Sequence, residues 1–167
     1  GFTAAGTFAI YAKRIMHEFG VTREDIANIS VKNHYHGSLN DKAHHRITCS
    51  TEQVLGSPMV ADPLTVMDSC PTTDGAACVI MVRAEDVDKT KHKPVYIDGI
   101  GLSVSTGWDL PFFDPKHDFL SFQATKDAAT MAYKQAGITK PIDEIDLVEV
   151  HDCFSIVELP TYEDLGL

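Results

Sequence analysis

Apolar and polar positions alternate along this chain with two different periods. From Phe2 to Phe19 the residues Phe8, Ala12, Ile15, Met16 and Phe19 recur at helical spacing, and Gly20 stands where a helix C-cap is expected. Thr22 followed by Arg23-Glu24-Asp25 signals a second helix start, with Asp25 in the acidic slot of a capping box. Ile26, Ala27, Ile29 and Val31 carry this helix to about His34, so the first two helices form a hairpin turned at Gly20. Residues 33–46 are polar and contain Gly37, Asn40 and Asp41, which predicts a loop. Ser50 or Thr51 caps a short helix through Leu55, and two prolines between Pro58 and Met67 predict extended chain with a turn.

The second half reads differently. Pro71-Thr72-Thr73-Asp74-Gly75 is a turn signal, and Ala76–Val82 (AACVIMV) is an unbroken apolar run. Such a run is a buried strand or a buried helical segment, and its period does not choose between them. Glu85–Lys89 reads as a short charged helix or turn, and 90–93 as a lysine-rich link. Pro94–Leu102 alternates as a strand, and residues 103–118 are irregular around Trp108. Leu120–Ala136 carries the strongest helical pattern, with Phe122, Ala124, Ala128, Ala129, Met131, Ala132 and Ala136 on one side and Gly137 at its end. A one-turn link at 141–144 leads to Leu147-Val148-Glu149-Val150, a mostly buried strand by pattern. Then come His151-Asp152-Cys153-Phe154 and a helix over 155–165. Pro160 would cost about 3 kcal/mol in a helix interior, so a kink, or a later start near Leu159, is expected. The alternation of strands and helices predicts a mixed α/β protein, with strand–helix–strand crossovers from residue 76 onward.

Bulk properties narrow the function. The formal charge of −10 argues against nucleic acid as a partner. No apolar run approaches the ~20 residues of a membrane-spanning helix, and the first residues do not read as a signal peptide. The four cysteines, Cys49, Cys70, Cys78 and Cys153, lack CxxC spacing and fit free thiols in a reducing, cytoplasmic compartment. Eight histidines include His34, His36 and the pair His44-His45, but none repeats at zinc-site spacing. Hydrogen-bonded or solvated loop histidines are the simpler reading of these.

Chemistry concentrates where the 147–150 run ends. His151 there can donate a hydrogen bond or carry a proton near neutral pH, and it is equally readable as a satisfied histidine at a strand end. Cys153 beside Phe154 reads as a small buried residue rather than a nucleophile. Three stretches, Lys32-Asn33-His34-Tyr35-His36, Ser69-Cys70-Pro71-Thr72-Thr73-Asp74-Gly75-Ala76-Ala77 and Val150-His151-Asp152-Cys153-Phe154, occur in order and are followed by Tyr162-Glu163-Asp164-Leu165-Gly166-Leu167. Together they resemble the thiolase superfamily over the whole chain, most closely its sterol-carrier-protein and archaeal branch, where the motif is HDCF.

The resemblance implies a partial thiolase-like fold, a mixed sheet with helices on both faces. Residues 1–57 would be loop-domain helices and loop, 58–93 the end of the N-terminal half, and 94–167 the opening of the C-terminal half. It implies that His151 helps form an oxyanion hole, that Ser69, Cys70 and Phe154 line the coenzyme A site, and that Asp152, His34 and His36 support it. The expected substrates are acyl-CoA and 3-oxoacyl-CoA, with coenzyme A as substrate and no covalently bound cofactor. The subunit is expected to be a homo-oligomer, with an OB-fold zinc-ribbon protein and a hydroxymethylglutaryl-CoA synthase as partners. The family's nucleophilic cysteine and its GHP and CxG motifs are not in these residues, so the 167 residues alone are expected to be an inactive internal part of a subunit. Two alternatives remain open: a thiolase-like steroid side-chain aldolase, which tends to carry Tyr where His151 stands, and a non-catalytic partner-binding module.

Overall fold

A computed structural model describes residues 3–89, 93–105 and 114–167. The Trp108 loop and most of the 90–93 link lie outside the described residues. Helix α1 spans Ala4–Phe19, with Thr3 Oγ1 accepting from the Gly6 amide and Gly20 closing it at φ 69°. Helix α2 spans Arg23–Leu39 behind the expected capping box, in which Asp25 accepts from the Thr22 backbone and Thr22 from the Asp25 backbone. Asp25 is held below the usual carboxylate range by the Thr22 hydroxyl and amide. Helix α2 runs five residues past His34 and through Gly37. A Cβ on Gly37 would stand 3.0 Å from the His45 carbonyl, so the glycine lets the returning chain close against the helix. Helix α3, Thr51–Leu55, is capped by Ser50.

Strands β1 (Met59–Ala61) and β2 (Leu64–Thr65) form an antiparallel hairpin, followed by a 3-10 turn at Val66–Asp68. A second 3-10 segment covers Ala84–Lys89. Helix α4 (Gln123–Ala136) ends at Gly137, α5 (Pro141–Glu144) is the expected one-turn link, and α6 (Ser155–Leu165) ends at Gly166. Pro160 sits inside α6, and the helix starts at Ser155 rather than near Leu159. Pro160 removes the bond to the Ile156 carbonyl. Burial of Ser155, Ile156, Val157, Glu158 and Pro160 holds the turn in place.

Helix α6 is the hub and packs on α1, α2 and α4. The core gathers Ala9, Ala12 and Ile15 of α1, Ile26 of α2, Leu64 of β2, and Phe154, Ile156 and Val157 at the start of α6. The helical spacing in α1 marks the right face except at Phe19, which is 65% exposed.

The expected mixed sheet is where pattern and structure part. Among the described residues the sheet is the β1–β2 hairpin alone. Ala76–Val82, Pro94–Leu102 and Leu147–Val150 carry no regular secondary structure and form no ladder with any described residue. Ile80 is 88% exposed and Leu147 77%. An apolar run becomes a strand only when a neighbour takes its backbone groups, and no described residue does so for these runs. One contact of the expected architecture does form. Gly99 and Gly101 lie directly on α4, where a Cβ would stand 2.3 Å from the Ala132 carbonyl and 1.8 Å from that of Ala128. Gln135 of α4 donates to the Ile100 carbonyl at 2.6 Å and accepts from its amide at 3.3 Å. The small residues of α4 thus seat it on extended chain.

Candidate functional site

Three distant stretches meet where α2, the Ser69-Cys70 segment and the start of α6 converge. The Cys70 amide donates to the Cys153 carbonyl at 3.0 Å, and Ser69 and Phe154 form an antiparallel bridge. This backbone staple fixes the HDCF stretch against SCPTTDGAA. The KNHYH stretch is fixed by side chains: the Asn33 amide donates to Asp152, and to Glu158 Oε2 at 2.9 Å. Lys32 and Tyr162 both donate to Glu158 Oε1, with Lys32 3.0 Å from the Tyr162 hydroxyl.

The electrostatics of this cluster are uneven. Burial pushes the Glu158 carboxyl up, but donors from Lys32, Tyr162 and Asn33 outweigh it and hold the group ionised below its usual range. Burial likewise opposes the Lys32 charge, and bonds to Glu158 and Tyr162 reverse that and raise it. Asp152 goes the other way. Burial raises it, the Asn33 bond lowers it, and the Glu158 charge raises it again, leaving it above its ordinary value. Its Oδ1 is buried without a partner.

A cavity of about 180 Å³ opens beside this junction, lined in part by Asn33, His34, Ser69, Cys70 and Asp152. In its wall Ser30 donates to the Met67 carbonyl at 2.9 Å and lies 2.6 Å from Ser155 Oγ. Beneath it Asp68 is buried against Arg23 and caps the 3-10 turn through the Thr65 amide, at 2.7 Å. His34 Nδ1 lies 3.1 Å from the Ile47 carbonyl, which it donates to, so Nε2 is the ring's free nitrogen when neutral. At the rim His45 stacks on His44, and His44 Nδ1 is 2.5 Å from Thr73 Oγ1.

Of the residues singled out in the sequence, His34, Ser69, Cys70 and Asp152 line this cavity. His151 is exposed immediately before Asp152, with no hydrogen-bond partner among the described residues. His36 is exposed beside Tyr35, outside the cavity lining. Phe154 is 9% exposed, its ring 5.1 Å from Phe8 in the core, so it shapes the site from behind. Burial pushes the Cys153 thiol up, consistent with an inert sulfur. Sequence reading missed Asn33, Lys32, Glu158 and Tyr162 as a unit. The signal available was a polar Lys-Asn pair on a helix, and a lone glutamate in an otherwise apolar SIVEL run. Among the described residues no group of three or more His, Cys, Asp or Glu is placed to hold a metal, and no helix is long and apolar enough to cross a membrane.

Residues 111–167 match the family model described as thiolase C-terminal domain-like. An acetyl-CoA acetyltransferase of Methanothermobacter thermautotrophicus is 41% identical over 166 residues, which is 99% of this chain and 42% of that protein. The chain resembles the thiolases along nearly all its length. The benzoylsuccinyl-CoA thiolase subunit BbsB of Thauera aromatica is 36% identical over 100% of this chain and 42% of its own length. Human sterol carrier protein 2 is 36% identical over 96% of this chain and 29% of its own length. The thiolase-like chain therefore spans less than half the length of the relatives it matches. The solved structure of the Ltp2-ChsH2(DUF35) aldolase superposes with a TM-score of 0.83 at 24% identity, covering 98% of this chain and 43% of that one. The architecture is thus a partial thiolase-like fold.

Proposed function

We propose that this chain supplies one wall of the active site of a coenzyme-A-dependent acyltransferase of the thiolase type. The observation that carries the reading is the meeting of KNHYH, SCPTTDGAA and HDCF at one cavity, joined by the Cys70–Cys153 and Asn33–Asp152 bonds. In the reaction a cysteine thiolate of the intact subunit attacks the 3-oxo carbon of a 3-oxoacyl thioester. The C2–C3 bond breaks, and its electron pair moves to C2 and onto the thioester oxygen. His151, free to donate, stabilises that oxyanion until C2 takes a proton, and coenzyme A then removes the acyl group from the cysteine. Ser69 and Cys70 flank the coenzyme A arm, while His34, Asp152 and Phe154 shape the site. His36, outside the lining, has at most a supporting place.

Identity to an acetyl-CoA acetyltransferase supports the acyl-CoA substrate class, and four free cysteines support a reducing, cytoplasmic setting. A homo-oligomeric subunit with an OB-fold zinc-ribbon protein and a hydroxymethylglutaryl-CoA synthase as partners belongs to the same reading. The aldolase alternative shares the fold, and the His at 151 favours the thiolase over it. The deciding assay is cleavage of acetoacetyl-CoA by the intact subunit with and without coenzyme A. Cleavage that requires coenzyme A supports the transferase. Coenzyme-A-independent retro-aldol cleavage of a hydroxyacyl thioester, without thiolysis, moves the assignment to the lyase.

A further inference from the structure

Glu158 is the one acid of the SIVEL run and is 1% exposed, in the first turn of α6. Its two oxygens divide their donors. Oε1 accepts from Lys32 and Tyr162, and Oε2 accepts from the Asn33 amide at 2.9 Å. Lys32 already supplies the counter-charge, so the Asn33 bond is not needed to pair the carboxylate. Asn33 gives its other amide hydrogen to Asp152. An asparagine amide turns about a broad, two-fold torsion. Carboxylates only accept, so two of them, one on each hydrogen, leave the amide a single setting.

These bonds straddle the bend at which HDCF turns into α6. Asp152 lies before the bend and Glu158 after it, and one residue of α2 holds both. A second tie runs alongside. Ser30 and Asn33 are neighbours one turn apart on α2, as Ser155 and Glu158 are on α6, and Ser30 Oγ lies 2.6 Å from Ser155 Oγ. The first turn of α6 is thus set in register on α2, and Asn33 carries that register out to the residue beside His151. The His151 ring is exposed and has no hydrogen-bond partner among the described residues, so the setting of the chain at Asp152 is what aims it. We propose that Glu158, which is not in the cavity lining, is a positioning residue for His151. Through Asn33 and Asp152 it fixes the direction in which the imidazole meets the thioester oxygen. The inference rests on the reading of His151 as the oxyanion donor.

The test is a double-mutant cycle, read by steady-state thiolysis of acetoacetyl-CoA with the intact subunit. Glu158→Gln and Asn33→Ala are each made alone and together with His151→Ala. Glu158→Gln keeps the size of the side chain but has one acceptor oxygen to offer Lys32, Tyr162 and Asn33. It is expected to lower kcat by about 10-fold with KM within about two-fold of wild type. In the His151→Ala background it is expected to lower kcat no further, because the group it positions is gone. Asn33→Ala cuts both arms of the link, leaves Glu158 its bonds to Lys32 and Tyr162, and is expected to behave in the same way. A residue that merely holds the fold together costs the same factor in either background. The Glu158→Gln cycle decides; where that variant fails to fold, the Asn33→Ala cycle decides. Equal losses in the two backgrounds, or a wild-type kcat in the deciding variant, overturn the inference and leave the oxyanion reading standing. A wild-type kcat in His151→Ala alone overturns that reading, and the inference with it.

Discussion

Two apolar stretches of similar sequence character end up in opposite surroundings. Ser155–Leu165 is a helix whose Ile156 is 0% exposed, wedged among α1, α2 and α4. Ala76–Val82 is at least as hydrophobic, yet Val79 is 80% exposed and Ile80 88%. The helix satisfies its own backbone, so it needs only a partner for its side chains. The extended run needs a neighbouring strand before burial becomes possible, and no described residue supplies one. Hydrophobicity therefore predicts burial for the helix and only a demand for burial in the run. The same contrast explains why the site's positioning groups sit on α2 and α6, where the chain is self-supporting.

The sharpest break in this contrast comes from the buried ion pair beneath the cavity. Asp68→Ala leaves the mostly buried Arg23 guanidinium without its counter-charge, with Nη1 unpartnered and Nη2 held only by Thr65 Oγ1 at 3.3 Å, and is expected to cost about 3–5 kcal/mol in urea unfolding. Next come paired truncations. Ile156→Ala in the 167-residue chain is expected to cost about 2–5 kcal/mol, and Ile80→Ala to stay within about 0.5 kcal/mol. An equal cost for both would show that the extended run is buried after all. A large cost for Ile80→Ala only in the intact subunit would show that the run pairs there, as the thiolase reading proposes.

Gly101→Ala tests the one place where the two kinds of chain touch. Its Cβ meets the Ala128 carbonyl, so α4 must lift off the extended segment, at about 1–3 kcal/mol. Faster amide exchange at Ile100 and along α4 would report the separation.

The smallest effect at ordinary pH is at Tyr11, whose hydroxyl lies 2.8 Å from His117 Nε2. Burial first, then the charges of Asp118 and Asp164, push it up to about 12. An unfolded tyrosine titrates near 10. Between these values the unfolded chain loses the proton first, so the tyrosine's contribution is full below about pH 10 and is lost as pH rises to about 12. Tyr11→Phe is expected to flatten stability against pH in that window and leave the slope below it unchanged.

The sequence told its helices plainly and its site only in outline. Thr22 with Asp25, Gly20 and Gly137 are local signals, and the caps they announce form as read. The end of α2 was hidden because Gly37 looks like a breaker, and only the His45 carbonyl against it reveals its packing role. At Pro160 only the later start fails: burial of Ser155–Val157 lets α6 begin at Ser155. His34, Ser69, Cys70 and Asp152 were findable as motif residues. Asn33 joining Asp152 to Glu158 was not, because a bond across 119 residues leaves no mark on local pattern.

In the proposed function the HDCF end, clamped by Asn33 and stapled to Cys70, presents His151 to a developing oxyanion. Steady-state thiolysis of acetoacetyl-CoA by the intact subunit carrying His151→Ala measures it directly. The expected result is a fall in kcat of about 100-fold, equivalent to about 3 kcal/mol of transition-state stabilisation, with KM within a few-fold of wild type. An unchanged kcat would contradict it.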